Sequence, residues 1–584
     1  MNKIDLQTLL NEKENFRFIT KSNIISKIIF KIIKKVLYID KINDFIHKHE
    51  HLDAKHFIME IFDFLNYSFL ITDNDIQKIP SQGRVICVAN HPSSLDSLII
   101  LKALLDVRSD VKIVANDLIL QFDFLKDHII PVDIFHNSFQ RKNLELIGQA
   151  LENENAVIIF PAGEVSRLKW FRIRDSKWKN GAIHYAQKFN SPILPIFIFA
   201  KNSLLFYLTS LLNKNLSMIL LAHEIFNKKN KTARVIFGDL ISSKTIINSN
   251  VNIIYKVKLL RKHVYHIGKN RKKIFSTEKN VIHPTNKKLL KQELSKSCFI
   301  GTTSDGKKIF LTTKNDAPNT LNEIARLREL TFRKVGEGTG NKLDLDKYDS
   351  YYHHLVVWDE EELEIVGSYR LGIGKDILNK FGQTGFYTST LFNYNKSFID
   401  EIIPYSVELG RSFVQEKYWN TYALDYLWQG IGSFLNANPG VKYLFGPVSI
   451  SSNYPKHIIA LIVYYFKKWY SNSNNYASSV VKFNMKEKYK DELLHTFFGT
   501  SAKDDYKILK KMLSLHGFSV PILYKHYSEL CYDNGVSFLD FSVDPSFMNC
   551  VDGLILVDIS KIKTEKKLRY LKTKIQSELQ PADV

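Results

Sequence analysis

The sequence predicts two α/β domains in series. With 584 residues the chain is too long for one ordinary domain, and a hydrophobic content of 45% is ample for more than one core. Between Asp75 and Leu240, short apolar runs at 85–89, 111–114, 129–132, 157–160, 193–199 and 233–237 alternate with helical patterns, which argues for a largely parallel sheet. A second series begins near Phe299, with strand-like runs at 354–358, 364–371 and 553–557 and helical patterns at 324–333 and 424–435.

Charge narrows the partners. The chain carries 81 Lys and Arg against 60 Asp and Glu, a net +21, which suits nucleic acid, anionic lipid headgroups or an acidic carrier protein. It has no helix-turn-helix, RNP or zinc pattern, so no nucleic-acid partner is expected. Cys87, Cys298, Cys531 and Cys550 stand far apart without a CxxC pair, which reads as a reduced protein without a metal site. Lys3 and Asp5 precede any clean apolar stretch, so no secretory signal is read, and no run of 18 apolar residues supports a transmembrane helix. Residues 24–39 set Lys27, Lys31, Lys34 and Lys35 beside an isoleucine-rich face. That pattern fits a helix lying on an anionic membrane surface, and equally an amphipathic helix packed on the core. Residues 256–298 are rich in Lys and Arg and read as a basic helical connector.

The first domain is organised around the apolar run 85–89, which stops at Asn90-His91-Pro92-Ser93-Ser94-Leu95-Asp96. Pro92 prevents a helix from continuing out of His91, so a tight turn can fold the Asp96 carboxylate back onto the imidazole. A histidine held that way can take a proton from a hydroxyl near neutral pH. The spacing alone fits a loop histidine near a helix-capping aspartate just as well. Downstream, the strand at 156–160 ends in a second polar turn with Gly163, Glu164 and Arg167, and two such strand ends can face one crevice.

These blocks, with Ser191-Pro-Ile-Leu-Pro-Ile-Phe-Ile198 after them, resemble the glycerol-phosphate and lysophospholipid acyltransferase family. The resemblance implies a glycerol-phosphate-acyltransferase-like α/β domain with His91 as base and Asp96 orienting it. Gly163, Glu164 and Arg167 would shape the acceptor or donor end. Ala162 stands where that family usually has Glu, in keeping with an acceptor lacking a glycerol phosphate.

In the second half, Arg326-Leu-Arg328 with Phe332-Arg333, Asp344-Leu-Asp346-Lys-Tyr-Asp349, Gly367-Ser-Tyr-Arg370-Leu371 and Glu408-Leu-Gly-Arg411-Ser-Phe-Val414 follow one another. Singly, these are loop aspartates and an ExxR ion pair. In this order they resemble the amino-acid N-acyltransferases related to the GNAT fold and the acyl-homoserine-lactone synthases. The resemblance implies a GNAT-like α/β domain whose site contains Arg328, Asp346, Asp349, Arg370, Glu408 and Arg411. The carboxylates suit an amino acid with one or two ammonium groups, Arg370 or Arg411 could grip its α-carboxylate, and Glu408 could take the proton of the attacking amine directly or through water. The Gly336–Gly340 loop is too weak a signal to assign phosphate binding.

An O-acyltransferase half ahead of an N-acyltransferase half resembles the bifunctional ornithine lipid synthases. That resemblance implies amide formation between an amino acid and a 3-hydroxyacyl group in the second half, then esterification of the 3-hydroxyl of the lyso-aminolipid in the first. The acyl donor would be carried on phosphopantetheine, as acyl carrier protein or CoA, with no other cofactor and no metal. The expected location is peripheral, on the cytoplasmic face of a bacterial inner membrane, against anionic lipid. The domains read as a membrane-surface region 1–74, an O-acyltransferase domain 75–255, the connector 256–298, an N-acyltransferase domain 299–570 and a tail 571–584. The rival reading is a single-activity lysophospholipid acyltransferase whose second half binds only the carrier.

Overall fold

The structure, a computed structural model, describes residues 30–31, 34–35, 38–116, 123–132, 140–169, 172–212, 214–484 and 493–571. The helix expected over 24–39 lies mostly outside them, as does most of the tail. The chain divides into two compact units, Met1–His283 and Pro284–Val584.

Among the described residues the first unit has nine strands: β1 (Ser68–Leu70), β2 (Val85–Ala89), β3 (Val111–Asn116), β4 (Ile129–Val132), β5 (Ala156–Ile159), β6 (Arg167–Lys169), β7 (Arg172–Arg174), β8 (Ile193–Phe199) and β9 (Thr232–Phe237). Seven form one sheet in the order β1-β9-β8-β2-β5-β3-β4, parallel throughout except for the β8–β9 pair, while β6 and β7 make a separate hairpin. Strand β2 is buried at all five positions, as a central parallel strand covered on both faces must be. Val85, Cys87 and Ala89 pack with the helix Asp96–Leu105 on one face. Ile86 and Val88 pack with the helices Gly181–Lys188 and Ile253–Ile267 on the other. This is a three-layer α/β/α unit.

The stretch expected as a basic connector divides instead. The Ile253–Ile267 helix buries Val257, Leu260 and Val264 in the first unit, whereas the Lys287–Leu294 helix buries Leu290 and Leu294 in the second. Each apolar stripe is only two or three residues long, so the surrounding lysines hide it in the sequence.

The second unit adds β10 (Cys298–Thr302), β11 (Lys308–Thr312), β12 (His353–Asp359), β13 (Glu364–Ile373), β14 (Phe392–Tyr394), β15 (Ser406–Val414), β16 (Tyr443–Ile450), β17 (Ala477–Ser479), β18 (Val536–Asp544) and β19 (Cys550–Asp558). Eight of these form a sheet in the order β10-β11-β12-β13-β15-β16-β19-β18, antiparallel except between β15 and β16. Leu355 and Val357 face the helices Ala423–Ala437 and Lys456–Tyr470, and Val356 and Trp358 face the helix Pro318–Val335.

Two irregularities of β15 shape the unit. Its parallel pairing with β16 stops at Glu408↔Phe445, although the strands run on to Val414 and Ile450. Opposite β13 the register slips between Gly410 and Phe413, and within that bulge Arg411 takes a left-handed φ of 50°. Such a conformation costs about 1 to 3 kcal/mol for a residue other than glycine, and bulges re-aim side chains next to functional sites.

Candidate active sites

The first site lies where β2 and β5 end. The helix Asp96–Leu105 begins with Asp96, whose fully buried carboxylate turns back on the loop. Its Oδ2 accepts from the Ser93 backbone N–H at 2.6 Å and from His91 Nδ1 at 3.0 Å, and its Oδ1 accepts from the Ser93 hydroxyl at 2.7 Å. A carboxylate only accepts, so the proton sits on Nδ1 and Nε2 presents a lone pair. Nε2 has no hydrogen-bond partner among the described residues, and the ring, partly exposed, rests 4.4 Å from the Phe160 ring.

The sequence does not single out the residues that anchor this loop. Asn90 bonds Ile198 in both directions, Nδ2 to the carbonyl at 3.0 Å and Oδ1 from the N–H at 2.7 Å, fastening the loop to β8. Asp175 is buried, and its carboxylate receives the His91 N–H at 3.3 Å, the Ser166 hydroxyl and the Trp178 indole N–H at 2.8 Å. The Ser166 N–H also donates to the His91 carbonyl at 2.6 Å, so the two turns are bonded to each other. The only signal for Asp175 is that it is the one carboxylate in the basic run 167–179.

The second turn holds its expected residues together. Gly163 has a φ of 67° and its N–H bonds the Phe160 carbonyl at 3.0 Å, a backbone shape that favours glycine. Glu164 and Arg167 pair at 3.1 Å, and Arg167 also donates to the Ser217 hydroxyl at 2.9 Å. Arg167 is therefore braced rather than free to swing.

In the second unit the structure brings Arg328, Asp346, Asp349, Arg370 and Arg411 into one buried network and adds Asp344. Arg328 donates to Asp349 at 2.9 Å, Arg370 to Asp346 at 2.7 Å, and Arg411 approaches Asp344 at 3.3 Å. Burial opposes the charge on Asp349, but the Arg328 and Arg370 guanidiniums hold its carboxyl well below the ordinary range. Both aspartates expected to meet an ammonium group pair with arginines, while Oδ2 of Asp346 has no hydrogen-bond partner among the described residues. Nε and Nη2 of Arg370 have no hydrogen-bond partner among the described residues, and its guanidinium lies within 5.7 Å of the rings of Tyr348, Tyr352 and Tyr387. Two unpartnered nitrogens on one buried guanidinium suit a carboxylate.

Glu408 is also enclosed. Its carboxylate receives the Tyr352 hydroxyl, the Tyr387 N–H at 3.2 Å, and the Thr388 N–H and hydroxyl at 2.7 and 2.5 Å. Burial pushes its pKa up, against these bonds. A further group lies around Arg411, which stacks at 4.6 Å on both Tyr387 and Phe547. Burial pushes Asp552 up to about 7, while burial and the charge of Asp552 push Glu337 up to about 8. The Gly336–Gly340 loop is tied inward, since the N–H groups of Thr339 and Gly340 both donate to the buried Glu329. Among the described residues no cluster of His, Cys, Asp and Glu could hold a metal ion.

Comparison with known proteins places a family on each unit. Residues 20–273 match the family described as Acyltransferase, and residues 327–429 match the Acetyltransferase (GNAT) domain. The chain is 33% identical over 312 residues to a glycine N(alpha)-acyltransferase of Bacteroides thetaiotaomicron, covering 51% of this chain and 91% of that protein. It is 26% identical over 272 residues to the lyso-glycine lipid O-acyltransferase of the same organism, covering 44% of this chain and 97% of that protein. A shorter match, 31% identical over 120 residues, links it to an L-ornithine N(alpha)-acyltransferase of Agrobacterium fabrum, covering 20% of this chain and 40% of that protein.

Proposed function

Because the chain belongs to the acyltransferase family that includes the glycine N(alpha)-acyltransferases, with an acyltransferase domain ahead of a GNAT domain, we propose that it makes an aminolipid by two successive acyl transfers. In the second unit the amine of an amino acid attacks the thioester of a 3-hydroxyacyl donor, forming the amide and releasing the donor thiol. In the first unit the 3-hydroxyl of that lyso-lipid attacks a second thioester, losing its proton to Nε2 of His91 as the ester forms. The observation that carries the reading is the His91–Asp96 pair, formed at 3.0 Å in one unit of a chain whose other unit is a GNAT domain.

Each site has a matching chemistry. Asp96 fixes the His91 tautomer and stabilises the imidazolium that forms on proton transfer. Arg370 offers its two unpartnered nitrogens, Nε and Nη2, to the amino-acid carboxylate. Asp349 holds Arg328 and Arg370 in place, while Oδ2 of Asp346 is left to meet the ammonium group. Both donors are carried on phosphopantetheine, as acyl carrier protein or CoA. The enzyme works at the periphery of an anionic membrane, on its cytoplasmic face.

The first headgroup to test is glycine, since that relative matches over most of its length, and the shorter ornithine match makes ornithine the second. The test is mass spectrometry of lipids from a host without aminolipids that expresses this chain. A phosphorus-free aminolipid with one amide-linked and one ester-linked chain is expected, and its mass names the amino acid. New acylation of lysophospholipid without any amide-linked lipid would favour the single-activity reading instead.

A further inference from the structure

The helix Leu204–Leu212, reading Leu-Leu-Phe-Tyr-Leu-Thr-Ser-Leu-Leu, turns two different faces outward and inward. Phe206 and Tyr207 are buried and pack with Val165 and Leu168 of the second catalytic turn. Leu204, Leu205, Leu208, Leu211 and Leu212 are exposed by 70, 54, 49, 60 and 89%. Scattered exposed leucines are ordinary on a protein surface, but five in a nine-residue helix form a patch that calls for a partner.

The surroundings identify that partner. Leu168 belongs to β6, so the hairpin of β6 and β7 packs beside this helix and carries exposed Lys169, Arg172 and Arg174. The hairpin also borders a cavity of about 1220 Å³ whose lining includes Lys177, Lys179 and Lys258. The one lining carboxylate, Asp175, is spent on His91, Ser166 and Trp178. A leucine face bordered by cations matches the two zones of an anionic bilayer, acyl chains beneath and phosphates at the edge. An acidic protein would engage the cations but leave the five leucines without a function.

We propose that the Leu204–Leu212 helix and the basic β6–β7 hairpin form a bilayer-docking face, which presents the His91 site to a single-chain lipid held in an anionic membrane. The proposal rests on the O-acylation reading for its acceptor and adds the face by which that acceptor arrives. Arg167 ties the hairpin to the candidate site, because it lies in β6, pairs with Glu164 of the second turn and bonds Ser217 in the helix Lys214–Phe226. Among the described residues no helix is long and apolar enough to cross a membrane.

The test uses the full chain and sedimentation with vesicles of phosphatidylcholine, alone or mixed with phosphatidylglycerol. Changing Leu204, Leu208, Leu211 and Leu212 together to Ser should weaken binding to both vesicle types by roughly tenfold or more. Leu212→Ser alone, at the most exposed position, should act in the same direction without touching the core. Lys169→Gln with Arg172→Gln and Arg174→Gln should remove the preference for phosphatidylglycerol. Esterification of a lyso-aminolipid in vesicles should fall with binding in the leucine variant, while esterification of the same lipid in detergent micelles stays at the wild-type rate and reports an intact fold. Wild-type vesicle binding by both leucine variants would overturn the proposal. So would unchanged vesicle binding with lost saturation by acyl carrier protein, which would make the face a protein dock. If the wild-type chain binds vesicles through these leucines but esterifies no lyso-aminolipid in either format, the docking face stands and the functional reading fails.

Discussion

Asp175 and His91, 84 residues apart, are joined by a hydrogen bond from the His91 N–H to the Asp175 carboxylate at 3.3 Å. The same carboxylate receives Ser166 and Trp178, so one buried group holds the His91 loop against the second turn. Removing a buried hydrogen-bonded carboxylate leaves three donors short of a partner, at about 1 to 3 kcal/mol for each group left unsatisfied. Asp175→Ala should therefore lower the unfolding temperature of the first unit and reduce esterification, with amide formation unchanged. Differential scanning calorimetry and product analysis of one preparation check both. An unchanged transition with normal ester formation would remove Asp175 from this role.

On the proposed mechanism His91→Ala deletes the lone pair that would take the hydroxyl proton, and loss of a positioned base costs roughly a hundredfold to ten-thousandfold in rate. The variant should accumulate amide-linked lyso-lipid and make little of the two-chain product. Asp96→Asn should move the ratio the same way, because a neutral amide no longer fixes the tautomer or stabilises the imidazolium. A normal product ratio in either variant counts against the assignment.

Gly163→Ala isolates backbone strain. A Cβ there would lie 3.6 Å from Lys179 Nζ, an ordinary contact, so the penalty comes from the φ of 67° and not from a clash. The expected loss is about 1 kcal/mol of stability, together with slower esterification as the turn shifts away from His91. Equilibrium unfolding in urea reads the first quantity. A stability equal to wild type would mean that the turn relaxes freely.

Asp552 sets a pH dependence of known sign. Its carboxyl is pushed up to about 7 by burial, whereas in the unfolded chain it titrates near the ordinary value of about 4. The folded state therefore holds the proton longer. Its stabilising effect is complete below about pH 4 and is lost as the pH rises through about 7, by at most about 4 kcal/mol. Asp552→Asn keeps a group beside Ser449, whose hydroxyl bonds Asp552, but cannot ionise. The variant should gain thermal stability relative to wild type at pH 8 and not at pH 4. Parallel melting curves across the whole range would refute the shift.

The legible parts of this protein are local in sequence. The run 85–89 announces β2 because it is apolar at every position, and Pro92 announces the turn that lets Asp96 reach His91 five residues away. The two units follow from the alternation of strands and helices, and the motifs of the second half lie on or beside β12, β13 and β15. What escaped the sequence is pairing at a distance. Asp175 and Asn90 work through partners 84 and 108 residues away, set by strand order alone. Asp344, Asp346 and Asp349 look like an open acidic patch until β13, β15 and the Pro318–Val335 helix bring three arginines onto them. The basic run at 256–298 hides two short apolar stripes whose burial only the packed units reveal.

Glu408 offers the sharpest test of the second site. Its Oε1 receives the Thr388 N–H and hydroxyl, and its Oε2 receives the Tyr352 hydroxyl and the Tyr387 N–H. Each oxygen thus faces two donors. In Glu408→Gln one oxygen becomes an NH₂ group, so whichever way the amide turns it faces a hydroxyl that can rotate to accept and a backbone N–H that loses its acceptor, at about 1 to 3 kcal/mol for that unsatisfied group. A clamp of this kind should yield a lower melting temperature for the second unit and a loss of both lipids, since the ester step receives no acceptor. A base acting on the amine would behave differently, keeping the wild-type melting temperature while kcat for amide formation fell and its pH profile changed. Melting curves combined with the pH dependence of amide formation separate the two. A stable Glu408→Gln protein with a shifted pH profile would assign Glu408 the proton-accepting role, and an unstable one would assign it the task of holding Tyr352, Tyr387 and Thr388 around Arg370.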